Sequence, residues 1–233
     1  MAWWISRSSA YAGPGFDWVD ADSVAEQRGL SGSGLSLSRP LGIENVPKIG
    51  RYRQPFETPP VADVLLVSSA VVVNDRFKNL VEEFEPDIHL FAPIELQYND
   101  GRPIDGNFYF FNCNFDIDCI LTANDPAWFR NVNNKIISNI KHIRSGTSID
   151  VNLSKPAIYG RHLWTGGPLG WNQLFVSDIF YKAMRDSDIT EFETRKHCEE
   201  IDQPWLAEAN MGPLMEKWRN YVANDRNIEM GYL

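Results

Sequence analysis

The order of apolar and polar positions divides the chain into an irregular start, an ordered centre and an acidic end. Residues 63–67 and 71–73 are β-branched and apolar, the composition of buried strands. Asn74 stands where a helix needs an N-cap, and Asp75 puts a negative charge into the first turn. Phe77, Leu80, Val81 and Phe84 recur at i, i+3, i+4 and i+7, which predicts a helix with one apolar face, stopped by Pro86. Residues 89–98 and 107–113 read as strands joined by a long loop containing Asp100-Gly101 and Asp105-Gly106. Phe108-Tyr109-Phe110-Phe111 is apolar on both faces, as a central strand is. Phe115 to Ile120 alternates, with Phe115, Ile117 and Cys119 on one side and Asp116 and Asp118 on the other. Further strands are predicted over 136–143, 148–153 and 157–164, and a second helix runs from Ser177 to near Asp186.

One pattern occurs twice. Val71-Val72-Val73-Asn74-Asp75-Arg76-Phe77 is echoed by Leu174-Phe175-Val176-Ser177-Asp178-Ile179-Phe180. Shared capping logic at two strand-to-helix junctions accounts for it, and a duplication is the weaker explanation. Residues 1–60 read as a strand at 2–6, a short helix at 20–28 and then a loop rich in Gly, Ser and Pro. Trp3, Trp4, Phe16 and Trp18 need burial, so this stretch is expected to wrap a core formed by 61–195. Residues 196–233 read as an acidic extension with a helix at 214–223. Without a βαβ rhythm, these elements indicate one compact α+β unit with a mainly antiparallel sheet, a few packed helices and a loop-rich N-terminal segment.

Composition narrows the function. In 233 residues, 43% are hydrophobic and eight are tryptophan, enough to build a core without disulfide or metal. Twenty-two basic residues against 31 acidic give a net charge of −9. No window concentrates Lys and Arg, so nucleic acid is not the expected partner, whereas a basic protein is. The odd cysteine count, Cys113, Cys119 and Cys198, argues against a secreted disulfide framework. No apolar run is long enough for a membrane span or a signal-peptide core, and a cytoplasmic location is expected.

Candidate chemistry is sparse. Phosphate-binding glycine loops, the Gly-x-Ser-x-Gly elbow and His-Glu-x-x-His are all absent, and no cofactor is expected. Asp116 and Asp118 share a strand face but lack a nearby third ligand, so they read as solvated. Cys113, Cys119, His197 and Cys198 lack the paired spacing of a zinc site, and no metal is expected. Arg161 and His162 could supply an anion clamp and a general base, or could simply hold a glycine-rich loop. Trp164 and Trp171 flank Thr165-Gly166-Gly167-Pro168-Leu169-Gly170, where they either anchor a partner or fold inward. Glu82, Glu83, Glu85 and Asp87 form an acidic helix end attractive to a basic partner.

Taken in order, several of these motifs are familiar. Val72-Val73-Asn74-Asp75-Arg76-Phe77, Glu82-Glu83-Phe84-Glu85-Pro86 and His89-Leu90-Phe91-Ala92-Pro93-Ile94 come first. Gly101-Arg102-Pro103-Ile104-Asp105-Gly106-Asn107-Phe108-Tyr109-Phe110-Phe111-Asn112, Gly160-Arg161-His162-Leu163-Trp164 and Leu174-Phe175-Val176-Ser177-Asp178 follow. The succession, over 61–195, resembles the eleventh immunity-protein family of bacterial polymorphic toxin systems. The resemblance implies a non-catalytic cytoplasmic protein that binds and blocks a toxin encoded beside it, with a basic nuclease as one candidate, and a homodimer is conceivable. It carries over no catalytic residues. Partner contact is therefore expected at Glu82, Glu83, Glu85, Asp87, Asp116, Asp118, Arg161, His162, Trp164 and Trp171. The alternatives are an enzyme centred on Arg161 and His162, or a scaffold that self-associates through aromatic surface.

Overall fold

The β-branched and aromatic runs pair into two six-stranded sheets, and the two amphipathic segments become helices between them. The computed structural model describes residues 1–7, 16–20, 46–55, 62–67, 70–121, 129–132, 135–138, 151–166, 170–189, 192–206 and 209. The helices expected at 20–28 and 214–223, and most of the strand expected over 136–143, lie outside the described residues.

The first sheet contains β2 (Phe16–Trp18), β3 (Ile49–Tyr52), β4 (Val64–Val67), β5 (Ala70–Asn74), β6 (Leu90–Gln97) and β7 (Phe108–Asn112), in the order β2-β3-β6-β7-β5-β4. Strand β7 lies between β6 and β5, which explains its apolar character on both faces. Phe111 points toward the helices, while Phe108 and Phe110 pack on the far side with Tyr52, Leu65, Val72, Ile94 and Leu96.

The second sheet combines β1 (Ala2–Arg7), β8 (Asp116–Ile117), β11 (Asn152–Ser154), β12 (Leu163–Gly166), β13 (Gly170–Ser177) and β14 (Phe192–Ile201), in the order β11-β14-β1-β13-β12-β8. Strands β9 (Phe129–Val132) and β10 (Lys135–Ser138) form a separate hairpin. Beyond β8 the chain returns to the opposite edge. Ser154 donates its backbone N–H to Cys119 at 2.7 Å and Leu121 donates to Asn152 at 2.9 Å, so the sheet curls round and closes. Its interior holds Trp4, Cys119, Leu153, Trp164, Phe175 and Cys198. Trp164 stacks on Phe175 with ring centroids 6.0 Å apart.

Helix α1 (Asp75–Phe84) is capped by Asn74, whose side chain accepts from the Arg76 and Phe77 N–H groups, and α2 (Asp178–Asp186) by Ser177 in the same way toward Phe180. Phe77, Leu80, Val81, Phe180 and Met184 bury against Val73, Phe111, Ile5, Leu174 and Val176. The helices run in opposite directions. Phe84 at the end of α1 meets Phe180 near the start of α2, and Arg76 at the start of α1 donates to the Ser187 carbonyl at the end of α2.

Three expectations change. Residues 2–7 form not a wrapping strand but an interior one, hydrogen-bonded to β13 on one side and β14 on the other. The acidic segment after Ile189 includes a long strand, β14, whose polar residues hid its period. The strand expected over 157–164 is instead a turn followed by β12. Ala157 and Ile158 both donate back to the Ser154 carbonyl, and Gly160 takes a φ of 71°, which suits glycine.

Gly166 has a different reason to be glycine. A Cβ there would lie 2.6 Å from the buried Phe175 ring. Gly166→Ala is expected to lower stability by about 1–3 kcal/mol through overpacking. Urea denaturation checks this, and an unchanged midpoint would mean that the ring moves freely.

Candidate functional site

The end of α1 is tied to β6, β8 and β12 by one buried carboxylate. Glu85, the C-cap of α1, accepts the backbone N–H of His162 at 2.7 Å through Oε1 and meets His89 Nε2 at 2.5 Å through Oε2. The other ring nitrogen of His89, Nδ1, accepts the Asn114 N–H at 3.2 Å, which assigns the ring proton to Nε2. The Asn114 side chain donates to the Ile88 carbonyl at 2.8 Å. Glu85→Ala would leave His89 Nε2–H and the His162 N–H without acceptors. It is expected to destabilise by about 3 kcal/mol, and Glu85→Gln by less, since its amide oxygen still accepts. Equal losses for the two variants in thermal melts would contradict this account.

Outside this knot runs a continuous band of surface. Glu82 accepts the Asp87 N–H at 2.9 Å, and Asp87 takes a left-handed φ of 58° at the turn beyond the helix. Ile88 and Asn114 are joined as described, and Phe115 follows. The Arg161 guanidinium lies 4.0 Å above the Phe115 ring. Next along β8, Asp116 accepts from Thr165 Oγ1 at 3.1 Å. Partial burial pushes the Asp116 carboxyl above the usual carboxylate range. Asp118 is raised likewise, first by partial burial and then by the charge of Asp116.

The expected contact residues therefore divide. Glu82, Asp87, Asp116, Asp118 and Arg161 reach solvent along this band, and Glu83 is exposed on α1. Glu85 and Trp164 do not. Glu85 is buried with both oxygens occupied, and Trp164 is 1% exposed because alternation along β12 points it into the closed sheet. Neither can meet a partner. Trp171 is the second residue of β13 and its side chain lies outside the described residues, as do Gly167-Pro168-Leu169. His162 is half-buried, its Nδ1 2.9 Å from the Ser177 hydroxyl that caps α2.

That Ser177–His162 pair has no catalytic orientation. The Glu85 carboxylate bonds to the His162 backbone instead of its ring, and Arg161 is stacked on Phe115. Among the described residues no group of three or more His, Cys, Asp or Glu side chains is placed to hold a metal ion. The three thiols are free and buried, and burial raises Cys119 and Cys198 to about 12 and Cys113 further. They remain protonated and unreactive at neutral pH.

One surface feature escaped the sequence reading. Tyr159 is 83% exposed at the tip of the turn before β12. The turn is closed by the bonds to Ser154 and by Arg161 N–H to the Ile158 carbonyl at 3.0 Å. The signal lay in Pro156 and Gly160, which bracket the turn.

The profile of the immunity protein family Imm11 matches residues 17–198, most of the chain and further toward the N-terminus than the motifs alone reached. The chain belongs to this family, and it is an immunity protein that neutralises a toxin by protein contact rather than an enzyme. No curated protein matches it. Among the described residues no helix is long and apolar enough to cross a membrane.

Proposed function

We propose that the cognate toxin presents a basic surface to the band running from Glu82 and Asp87 through Phe115 and Asp116 to Arg161, with Tyr159 as an aromatic anchor beside it. The observation that carries this reading is the placement of the solvent-reaching carboxylates Glu82, Asp87, Asp116 and Asp118 along the band. Two of them, Asp116 and Asp118, partly desolvated and repelling each other, are held in an unfavourable charge state that an approaching cation relieves. Tyr159 adds an exposed ring of the kind protein interfaces favour. The overall charge of −9 steers a basic protein toward the chain and nucleic acid away from it. Neutralisation then takes place in the cytoplasm of the toxin-producing cell. A nuclease is the toxin class such a surface suits, since enzymes that grip phosphate are basic themselves.

Co-expression of the tagged protein with the toxin encoded beside it tests this reading. A complex that survives purification, together with rescued growth, supports it. Cell death with no complex for any adjacent toxin would remove it. Incubation of the purified toxin with DNA and RNA, with and without the immunity protein, then reads the nuclease assignment directly.

A further inference from the structure

We infer that the chain is two copies of one strand-and-helix unit fused in tandem, that the copies have exchanged their first strands, and that only one of their two equivalent corners carries the toxin-docking face. The last clause rests on the docking reading above; the first two do not.

Strand order is the first support. Along the first sheet the neighbours run β3-β6-β7-β5-β4, and along the second β11-β14-β1-β13-β12. Directions agree at every step. β3 is parallel to β6 as β11 is to β14, and the remaining pairs are antiparallel in both sheets. Outside β3 lies antiparallel β2, and outside β11 lies antiparallel 119–121.

Register agrees as well. Val73 sits between Val64 and Tyr109, and Val176 between Leu163 and Trp3. Ile94 faces Phe108 while the next residue, Glu95, faces Ile49. In the other copy Cys198 faces Ala2 and Glu199 faces Asn152.

Side-chain contacts repeat too. Tyr109 donates its hydroxyl to Asp75 Oδ1 at 2.8 Å, and Trp3 donates its indole N–H to Asp178 Oδ1 at 2.8 Å. Asn74 bonds to the residue before β4, Asp63, through backbone and side chain. Ser177 does the same with the residue before β12, His162. Capping logic explains the cap residues, but not aromatic donors arriving from distant strands. The echo at the two helix starts is therefore the centre of a whole-fold repeat. The Ser177–His162 pair is the counterpart of Asn74–Asp63, which gives it a structural role.

Chain order reveals the exchange. Matched residues keep a nearly constant separation, from Trp3 and Tyr109 through Asp75 and Asp178 to Glu95 and Glu199, so one unit runs from β1 to β6 and the other from β7 to β14. Yet β1 completes the sheet of the second unit, between β13 and β14, and β7 completes that of the first, between β5 and β6. Each unit lacks its own first strand and holds its neighbour's. The opposed helices match a two-fold relation between the copies. The chain is its own dimer, and the fold requires no second molecule.

The two corners where a helix end meets the opposite unit have diverged. The first carries Glu82, Asp87, Asp116 and Asp118, with Arg161 stacked on Phe115. At its counterpart Arg185 takes the place of Glu82, Arg76 pairs with Asp63, and Lys182 pairs with Asp186. Among the described residues, only the first has the acidic excess a basic toxin requires.

Measurements on the full chain test this. A protease site inserted in the exposed loop between β6 and β7 is cut after folding. The fragments are expected to co-elute and unfold in one transition, and separation in native buffer would overturn the exchange. Trp3→Tyr, which imports the matched residue, should keep Tm within a few degrees while Trp3→Leu lowers it further; equal losses would deny the equivalence. With purified toxin, native mass spectrometry should show one toxin per chain. Asp186→Lys with Asp188→Lys should change affinity less than threefold. Two toxins per chain, or a large loss at this second corner, would overturn the single-corner assignment. Unchanged binding after reversal at Asp116 and Asp118 would instead defeat the docking reading and leave the duplication standing.

Discussion

Asp116→Lys combined with Asp118→Lys is expected to weaken toxin binding about a hundredfold, equivalent to about 3 kcal/mol, and to abolish protection of growing cells. Both carboxyls sit above the ordinary carboxylate range in the free protein because burial, and for Asp118 the charge of Asp116, disfavour ionisation. A basic partner reverses that preference. Binding therefore releases protons as the pair ionises fully, and wild-type affinity should rise with pH through the carboxylate range and level off near neutrality. The lysine variant should lose most of this dependence along with its affinity.

The effect on folding has the opposite sign. A carboxyl raised in the folded state favours the fold at pH below its ordinary value, and that contribution is lost as pH rises through the raised value. In the variant two lysines repel as the carboxylates did and the Thr165 contact is lost, so a modest fall in melting temperature is expected while the fold is kept. Isothermal titration across pH with parallel melts separates the two. Wild-type affinity in a folded double variant would remove the band as the docking face.

The parts of the fold that were legible in the sequence are those where local pattern and burial agree. Helix α1 ran as read because its cap, its acidic first turn and its apolar period all point one way. The two-faced Phe108–Asn112 strand was legible because only a central position hides aromatics on both sides. Alternation likewise placed Asp116 and Asp118 outward. What stayed hidden depends on partners remote in sequence. Nothing in Ala2–Arg7 says that it enters between β13 and β14, and β14 carries too many polar residues to show its period. For Trp164 the sequence left anchoring a partner and folding inward equally open, and pairing with β13 turned it inward. Among the site residues, surface charge could be read, while the burial of Glu85 could not. Its neighbours Glu82 and Glu83 read alike, and only the fold brings His89 and the His162 N–H to it.

Phe77→Ala and Phe180→Ala are expected to have the largest effects on stability. The two rings are matched residues of the two units, each fully buried in the shared layer between the sheets. Phe77 meets Phe111 edge-on with centroids 5.6 Å apart, and Phe180 meets Phe84 in the same manner at 5.2 Å. Either truncation should destabilise by about 3–5 kcal/mol, a large fraction of the 5–15 kcal/mol that holds an ordinary domain together. The shape of the transition carries more information than its midpoint. Two side-by-side domains would split, with the mutated half melting first. With β1 and β7 exchanged, loss of one unit removes a central strand from the other, so each variant should unfold in one step. Fluorescence and far-UV circular dichroism should then give coincident curves. A second transition retaining about half the signal would show that the copies fold separately despite their shared strands.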